Sequence, residues 1–141
     1  MLEMPEALRR AIREEGEKAY PHECCGFVLG SYTEDGTRTM ETLIPIVNAW
    51  AAEEQYHRFS ITAEDVMGAE KQSRALNRDI IGIYHSHPDH PARPSEYDRE
   101  QALPFYSYLI VSVQGGKAAD LTCWELAADR SAFIEEELIW R

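Results

Sequence analysis

The spacing of apolar residues changes along the chain and marks out its elements. Over residues 5–19, Leu8, Ala11 and Ile12 recur at helical spacing, with Arg9, Arg10, Arg13 and Glu14 around the other face, which predicts an amphipathic first helix. The short apolar run CCGFVLGSY reads as a buried strand. An Asp-Gly pair within residues 34–37 is a hairpin signal that returns the chain into TMETLIPIVN as a second strand, and residues 56–61 predict a short third one. Thr62 and Asp65 have the spacing of a capping-box variant; Val66, Ala69, Ser73 and Leu76 follow at helical spacing up to Asn77, a second helix. DIIGIYHSHP is apolar on both faces until its histidines, the pattern of a central strand covered on both sides. After a proline-rich loop, Ser95 opens a short helix to about Ala102, and YSYLIVSV and LTCWEL form two strands joined through residues 114–117. The tail SAFIEEELIW fits strand or helix. This order predicts an α/β fold, a mixed sheet flanked by helices.

Composition narrows the class. The chain has 141 residues, a length that one domain over residues 1–141 accounts for, and its 44% apolar and 28% charged residues lie in the ordinary globular range. Its first twenty residues carry charges throughout, with no apolar signal segment, and no window approaches the ~18 apolar residues of a membrane span. Three cysteines, with Cys24 and Cys25 adjacent, do not make a disulfide framework, and a reducing, cytoplasmic setting is expected. The net charge of −11, with no basic cluster to offset it, argues against a nucleic-acid partner. A homo-oligomer is compatible with this composition, and nothing in the sequence selects one.

The candidate chemistry lies in HSHPDHPARPSEYD. Side chains alternate along a strand, so His85 and His87 share a face while Ser86 points away. Two imidazoles side by side suit zinc, which takes His nitrogens and a carboxylate oxygen and keeps a fourth position for water in catalytic sites; Asp98 is the third candidate ligand. The bland readings are a solvated strand end for the histidines and a helix-capping pair for Ser95 and Asp98, and the second is compatible with a metal role. The joint spacing His-x-His-x7-Ser-x2-Asp matches by chance on the order of 10⁻⁴ in a chain of this length.

That spacing resembles the signature of the JAMM, or MPN+, metallopeptidases at His85, Ser86, His87, Ser95 and Asp98. The family's catalytic glutamate, which lies after the first helix and at the entry to the first strand, is matched by Glu23 in PHECCGFVLG, a form especially like that of small bacterial members. The similarity extends from the first helix to the last strand. The resemblance implies a JAMM/MPN, cytidine deaminase-like fold, a zinc ion on His85, His87 and Asp98, Glu23 as the group that moves protons, and Ser95 as oxyanion stabiliser. It also implies a substrate: family members cleave after the C-terminal glycines of ubiquitin-like proteins. Small bacterial members trim ubiquitin-like sulfur-carrier proteins after Gly-Gly, releasing a residue such as cysteine in cysteine biosynthesis or related sulfur transfer.

Other readings rank lower. A zinc deaminase needs H-x-E with P-C-x-x-C, which this chain lacks. A cysteine peptidase built on Cys25 would require a reactive thiol in a buried strand, and Cys123 reads as core. A non-catalytic MPN binding module, a peptidase acting on other small peptides and a member of the DNA-repair branch are the remaining alternatives; the retained motif speaks against the first and the acidic charge against the last. His22, His57 and His90 are not assigned as ligands, since an extra histidine would close the open zinc position. Trp50, Trp124 and Trp140 read as packing residues, with Trp50 in a loop that borders a groove in some arrangements.

Overall fold

The computed structural model describes residues 1–47 and 61–140. The chain forms β1 (Leu2–Met4), α1 (Glu6–Ala19), β2 (Cys25–Tyr32), β3 (Arg38–Ile46), α2 (Ala63–Leu76), β4 (Asp79–Pro88), α3 (Glu96–Gln101), β5 (Ser107–Gln114), β6 (Lys117–Leu126), β7 (Phe133–Glu136) and β8 (Leu138–Trp140). The expected mixed sheet with flanking helices is present. Its strand order is β7-β6-β5-β4-β2-β3-β1-β8, with β4–β5, β1–β3 and β1–β8 parallel and the other pairs antiparallel. β7 and β8 lie at opposite ends of this order although Glu137 alone separates them, so the sheet curls until its edges approach; the Leu2 amide donates to Glu137 O at 3.0 Å. The tail thus resolves into two short strands. The strand expected over residues 56–61 lies, apart from Ile61, outside the described residues, as do Trp50 and His57.

Local chemistry explains most boundaries. In α2, Thr62 Oγ1 accepts from the Asp65 amide at 3.1 Å while Asp65 Oδ2 accepts from the Thr62 amide at 2.9 Å, the expected capping box. The helix ends at Asn77 in the left-handed region (φ 52°). Gly115 and Gly116 both have positive φ, which the two-residue turn between β5 and β6 requires.

β4 is buried on both faces, as its apolar run predicts. On one side Ile81 and Tyr84 join Ile12 of α1 and Val28, Leu109 and Val111; on the other Ile80 and Ile83 pack with Phe27, Leu29, Ile44 and Ala69 of α2. The register with β2 skips Ile81, a bulge that turns Ile81 toward α1 along with Tyr84. α1 approaches the sheet closely at Gly16, where an added Cβ would meet Val113 at 3.0 Å. The consequence for the site is positional: the alternation that sends Tyr84 toward α1 sends His85 and His87 to the α2 side, at the strand's C-terminal end.

Candidate metal centre

Four side chains converge where β4 ends: Glu23, His85, His87 and Asp98 are only 5%, 1%, 8% and 8% exposed. They arrive from three pieces of local structure. Strand alternation sets the two imidazoles together. Glu23 is delivered by the antiparallel pairing of Cys25 with His85, locked where the Cys24 amide donates to Ser86 Oγ at 2.8 Å and the Ser86 amide donates to Cys24 O at 3.1 Å. Ser86 therefore points away from the site, as alternation predicts, and ties the glutamate's strand to the histidines' strand.

Asp98 comes from the first turn of α3. The capping box is formed: Ser95 Oγ accepts from the Asp98 amide at 3.1 Å and Asp98 Oδ2 accepts from the Ser95 amide at 2.8 Å. The same Oδ2 lies 3.1 Å from His87 Nε2 and 3.3 Å from His85 Nε2, and the two Nε2 atoms are 3.1 Å apart. The capping role and the cluster are thus compatible, as sequence reasoning allowed.

This triangle fits a metal ion. Donors of a tetrahedral zinc site, each about 2.0–2.1 Å from the ion, lie about 3.3 Å apart along the tetrahedron's edges. His87 supplies a second argument. Its Nδ1 is 2.9 Å from Pro91 O, and a carbonyl only accepts, so Nδ1 carries a proton and Nε2 is the ring nitrogen that faces the centre. A carboxylate oxygen of Glu23 and a nitrogen of each histidine also lie within 4.8 Å of one another, a Glu-His-His group able to hold a metal.

Electrostatics follow from burial and crowding. Burial pushes the Glu23 carboxyl up to about 8, with His87 pulling it down and the Asp98 charge adding to the rise. Burial also acts to raise Asp98, but the two imidazoles outweigh it and hold the carboxyl well below the ordinary carboxylate range. Burial lowers His85 and favours its neutral, ligating form.

The loop between β4 and α3 is pinned by residues that sequence reasoning passed over. His90 O accepts from Ser112 Oγ at 2.6 Å and from Gln114 Nε2 at 3.1 Å, and Ala92 O accepts from Thr122 Oγ1 at 2.6 Å. Asp89 accepts from the Tyr20 hydroxyl at 2.6 Å and from the Gly115 amide at 2.8 Å. The available signal was Ser112, a polar residue near the end of the apolar run YSYLIVSV. These bonds fix Pro91 O, and through it the His87 ring.

The remaining candidates are placed as follows. His90 lines the cleft beside Glu23 and His87, while His22 borders another depression, lined by Glu15, Lys18 and, from its other side, Glu23. Cys25 is fully buried with its thiol pushed far up by burial, and Cys24 is pushed up to about 12, so neither carries a thiolate for nucleophilic attack. Cys123 is core, as expected. Trp140 departs from the packing reading: it is 50% exposed, with the Arg9 guanidinium 4.9 Å from its ring centroid. No helix among the described residues is long and apolar enough to cross a membrane.

Known proteins place this geometry. The chain is 33% identical over 100 residues to a desampylase of Haloferax volcanii, covering 70% of this chain and 68% of that protein. It is 34% identical over 88 residues to a probable TtuB-protein conjugate cleaving protease of Thermus thermophilus, covering 59% of this chain and 55% of that one. Among solved structures, a Desulfitobacterium hafniense protein superposes with a TM-score of 0.85 at 29% identity, covering 100% of this chain and 93% of its own. A JAB1/MPN domain protein from Archaeoglobus fulgidus shares the fold, with a TM-score of 0.62 at 22% identity and coverage of 100% and 97%. The family model for prokaryotic homologs of the JAB domain matches residues 5–127. The chain belongs to this Prok-JAB family and is an enzyme of the JAMM metallopeptidase type, with a buried Glu-His-His group fit for a metal ion.

Proposed function

We propose that this chain, acting as one domain over residues 1–141, hydrolyses the amide bond after the C-terminal Gly-Gly of a ubiquitin-like sulfur-carrier protein in the cytoplasm, releasing a residue such as cysteine. The observation that carries the reading is the triangle of His85 Nε2, His87 Nε2 and Asp98 Oδ2 at 3.1–3.3 Å with Glu23 beside it. The desampylase and the TtuB-conjugate cleaving protease support the substrate class, since their names describe cleavage of related conjugates.

In this reading His85, His87 and Asp98 hold zinc. When bound, zinc supplies Lewis acidity, which lowers the pKa of a water toward about 7 and polarises the scissile carbonyl. Glu23 accepts a proton from the attacking water and returns it to the leaving nitrogen. The water oxygen ends on the glycine carbonyl carbon, the C–N bond breaks and its electron pair leaves with the amine. Ser95 Oγ accepts from the Asp98 amide, which leaves its own O–H to donate to the oxygen that gains charge. Glycines at the last two positions let an extended tail approach the centre without side-chain clashes.

The test is intact-mass measurement of a zinc-loaded reaction on a carrier ending Gly-Gly-Cys. Loss of one residue with the wild type and none with Glu23→Gln, which keeps zinc but cannot take a proton, is the expected result. An Ala-Ala tail should be cleaved far more slowly. Equal cleavage of both tails overturns the carrier assignment.

A further inference from the structure

Two clefts flank the centre, and they differ in chemistry. One is lined by Ile61, Ile83, Tyr97, Gln101 and Tyr108 and reaches His85 and Asp98. The other is lined by Pro91, His90, Arg93 and Ser95 and reaches Glu23 and His87. Amide hydrolysis has a direction: the group that hands a proton to the leaving nitrogen must stand on the amine side of the scissile bond. Of these two clefts Glu23 lines the second and not the first, so the second receives the released residue and the first receives the acyl tail.

The released-residue cleft holds an uncommitted cation. Among the described residues, the Arg93 guanidinium has no hydrogen bond or ion pair, although Asp120 and Glu135 border the depression on its other side. Arg99, six residues on, is by contrast tied to Glu96 and to Arg130 O. The base of Arg93 is nevertheless fixed: its amide donates to Pro91 O at 2.8 Å, and the preceding carbonyl, Ala92 O, is held by Thr122. A free guanidinium on an anchored backbone, in a protein of net charge −11, is arranged to meet an anion in that cleft.

We propose that Arg93 is a specificity-determining residue that binds the free α-carboxylate of the residue being released, so that the enzyme trims a single terminal amino acid in preference to splitting a carrier from a lysine side chain. The inference rests on the hydrolytic reading above. In a terminal residue the carboxylate carbon is about 2.5 Å from the leaving nitrogen, a fixed position that a planar guanidinium meets with two parallel hydrogen bonds. A lysine-linked conjugate offers only methylenes at that distance, and its own carboxyl is an uncharged peptide group.

The test compares the zinc-loaded enzyme on a carrier ending Gly-Gly-Cys as the free acid, the same carrier ending in Cys amide, and a carrier joined to a lysine ε-nitrogen. The acid should be cleaved with kcat/KM at least about tenfold above the other two, the scale of one charge-assisted pair. Arg93→Gln should collapse the acid-to-amide ratio to about one through KM, and Arg93→Lys should restore part of it. Separately, zinc-loaded Glu23→Gln, which binds without turnover, should hold a Gly-Gly-Cys peptide acid more tightly than its amide, a preference lost on adding Arg93→Gln. Equal rates on acid and amide, or a preference that survives Arg93→Gln, overturns the role of Arg93. If no carrier is cleaved yet the binding preference and its loss are observed, the substrate reading fails and Arg93 stands.

Discussion

The two ends of the central strands each bury a polar cluster, and the clusters are built on opposite principles. At the start of β3 and β5, Arg38 Nη1 donates to Ser107 Oγ at 2.8 Å and pairs with Glu136 at 3.3 Å, Arg38 Nη2 reaches Glu125 at 3.3 Å, and Ser107 Oγ donates to Glu136 at 2.7 Å. That cluster contains its own cation and neutralises itself. At the other end, Glu23, Asp98 and two imidazoles gather electron-pair donors around one point. A buried set of donors is stable only when something positive is shared among them. The difference teaches which cluster is architecture and which is a site: self-balanced charge holds strands together, and donors in excess await an ion.

The comparison can be broken most sharply at the donor end. His87→Ala or Asp98→Ala should take zinc from about one per chain to nearly none and abolish hydrolysis, because each removes one of three protein ligands. Elemental analysis reads this directly; full occupancy in both variants refutes the ligand assignment. At the self-balanced end, Glu136→Ala takes the buried carboxylate from Arg38 and leaves it only the partly exposed Glu125, and should cost about 3 kcal/mol in denaturant unfolding, with zinc per folded chain unchanged. A cost below about 1 kcal/mol would show that Arg38 does not depend on that partner.

Smaller effects sharpen the boundary between architecture and chemistry. Ser95 serves both, so Ser95→Ala should lower kcat about 10²-fold with little change in KM, alongside about 1 kcal/mol of lost capping. A lowered melting temperature with kcat intact would leave Ser95 a helix cap and nothing more. The smallest effect is expected at Glu15, whose carboxylate accepts from the Tyr84 hydroxyl at 2.6 Å. Burial raises Glu15 above its ordinary value, against the lowering effect of that bond. A raised folded-state pKa means a contribution present in full below about pH 4.3 and lost as pH rises through the folded value. Glu15→Gln keeps an acceptor for Tyr84 and removes that loss, so the variant should melt about 2 °C above the wild type at about pH 8, with the gap closing near about pH 4. A gap that widens toward acid would reverse the sign of the shift.

Much of this architecture was legible from short-range rules. His85 and His87 share a face because side chains alternate, Ser95 and Asp98 cap a helix because three residues span its first turn, and the Asp-Gly and Gly-Gly pairs turn hairpins because they accept positive φ. Each rule links residues two or three apart, where the chain's own covalent geometry leaves few choices. β1 escaped, and the tail that holds β8 fitted strand or helix alike, because three residues carry no period to detect. Glu23 was singled out by family resemblance, since a glutamate at a strand entry has no local pattern that distinguishes it from a solvated one.

Tertiary structure decided everything that depends on register. Glu23 stands beside the histidines only because Cys25 pairs with His85 and Ser86 grips the Cys24 amide across 62 positions of sequence. The His87 tautomer depends on Pro91 O, which Ser112, Gln114 and Thr122 hold in place from strands formed later in the chain. The cleft that sets Arg93 beside Glu23 has the same origin. Such contacts join distant segments, and a one-residue slip in any strand pair would turn the side chains involved to the other face. The residue types able to bind a metal are therefore written in local spacing, while their meeting at 3.1–3.3 Å is a product of packing that only the folded sheet enforces.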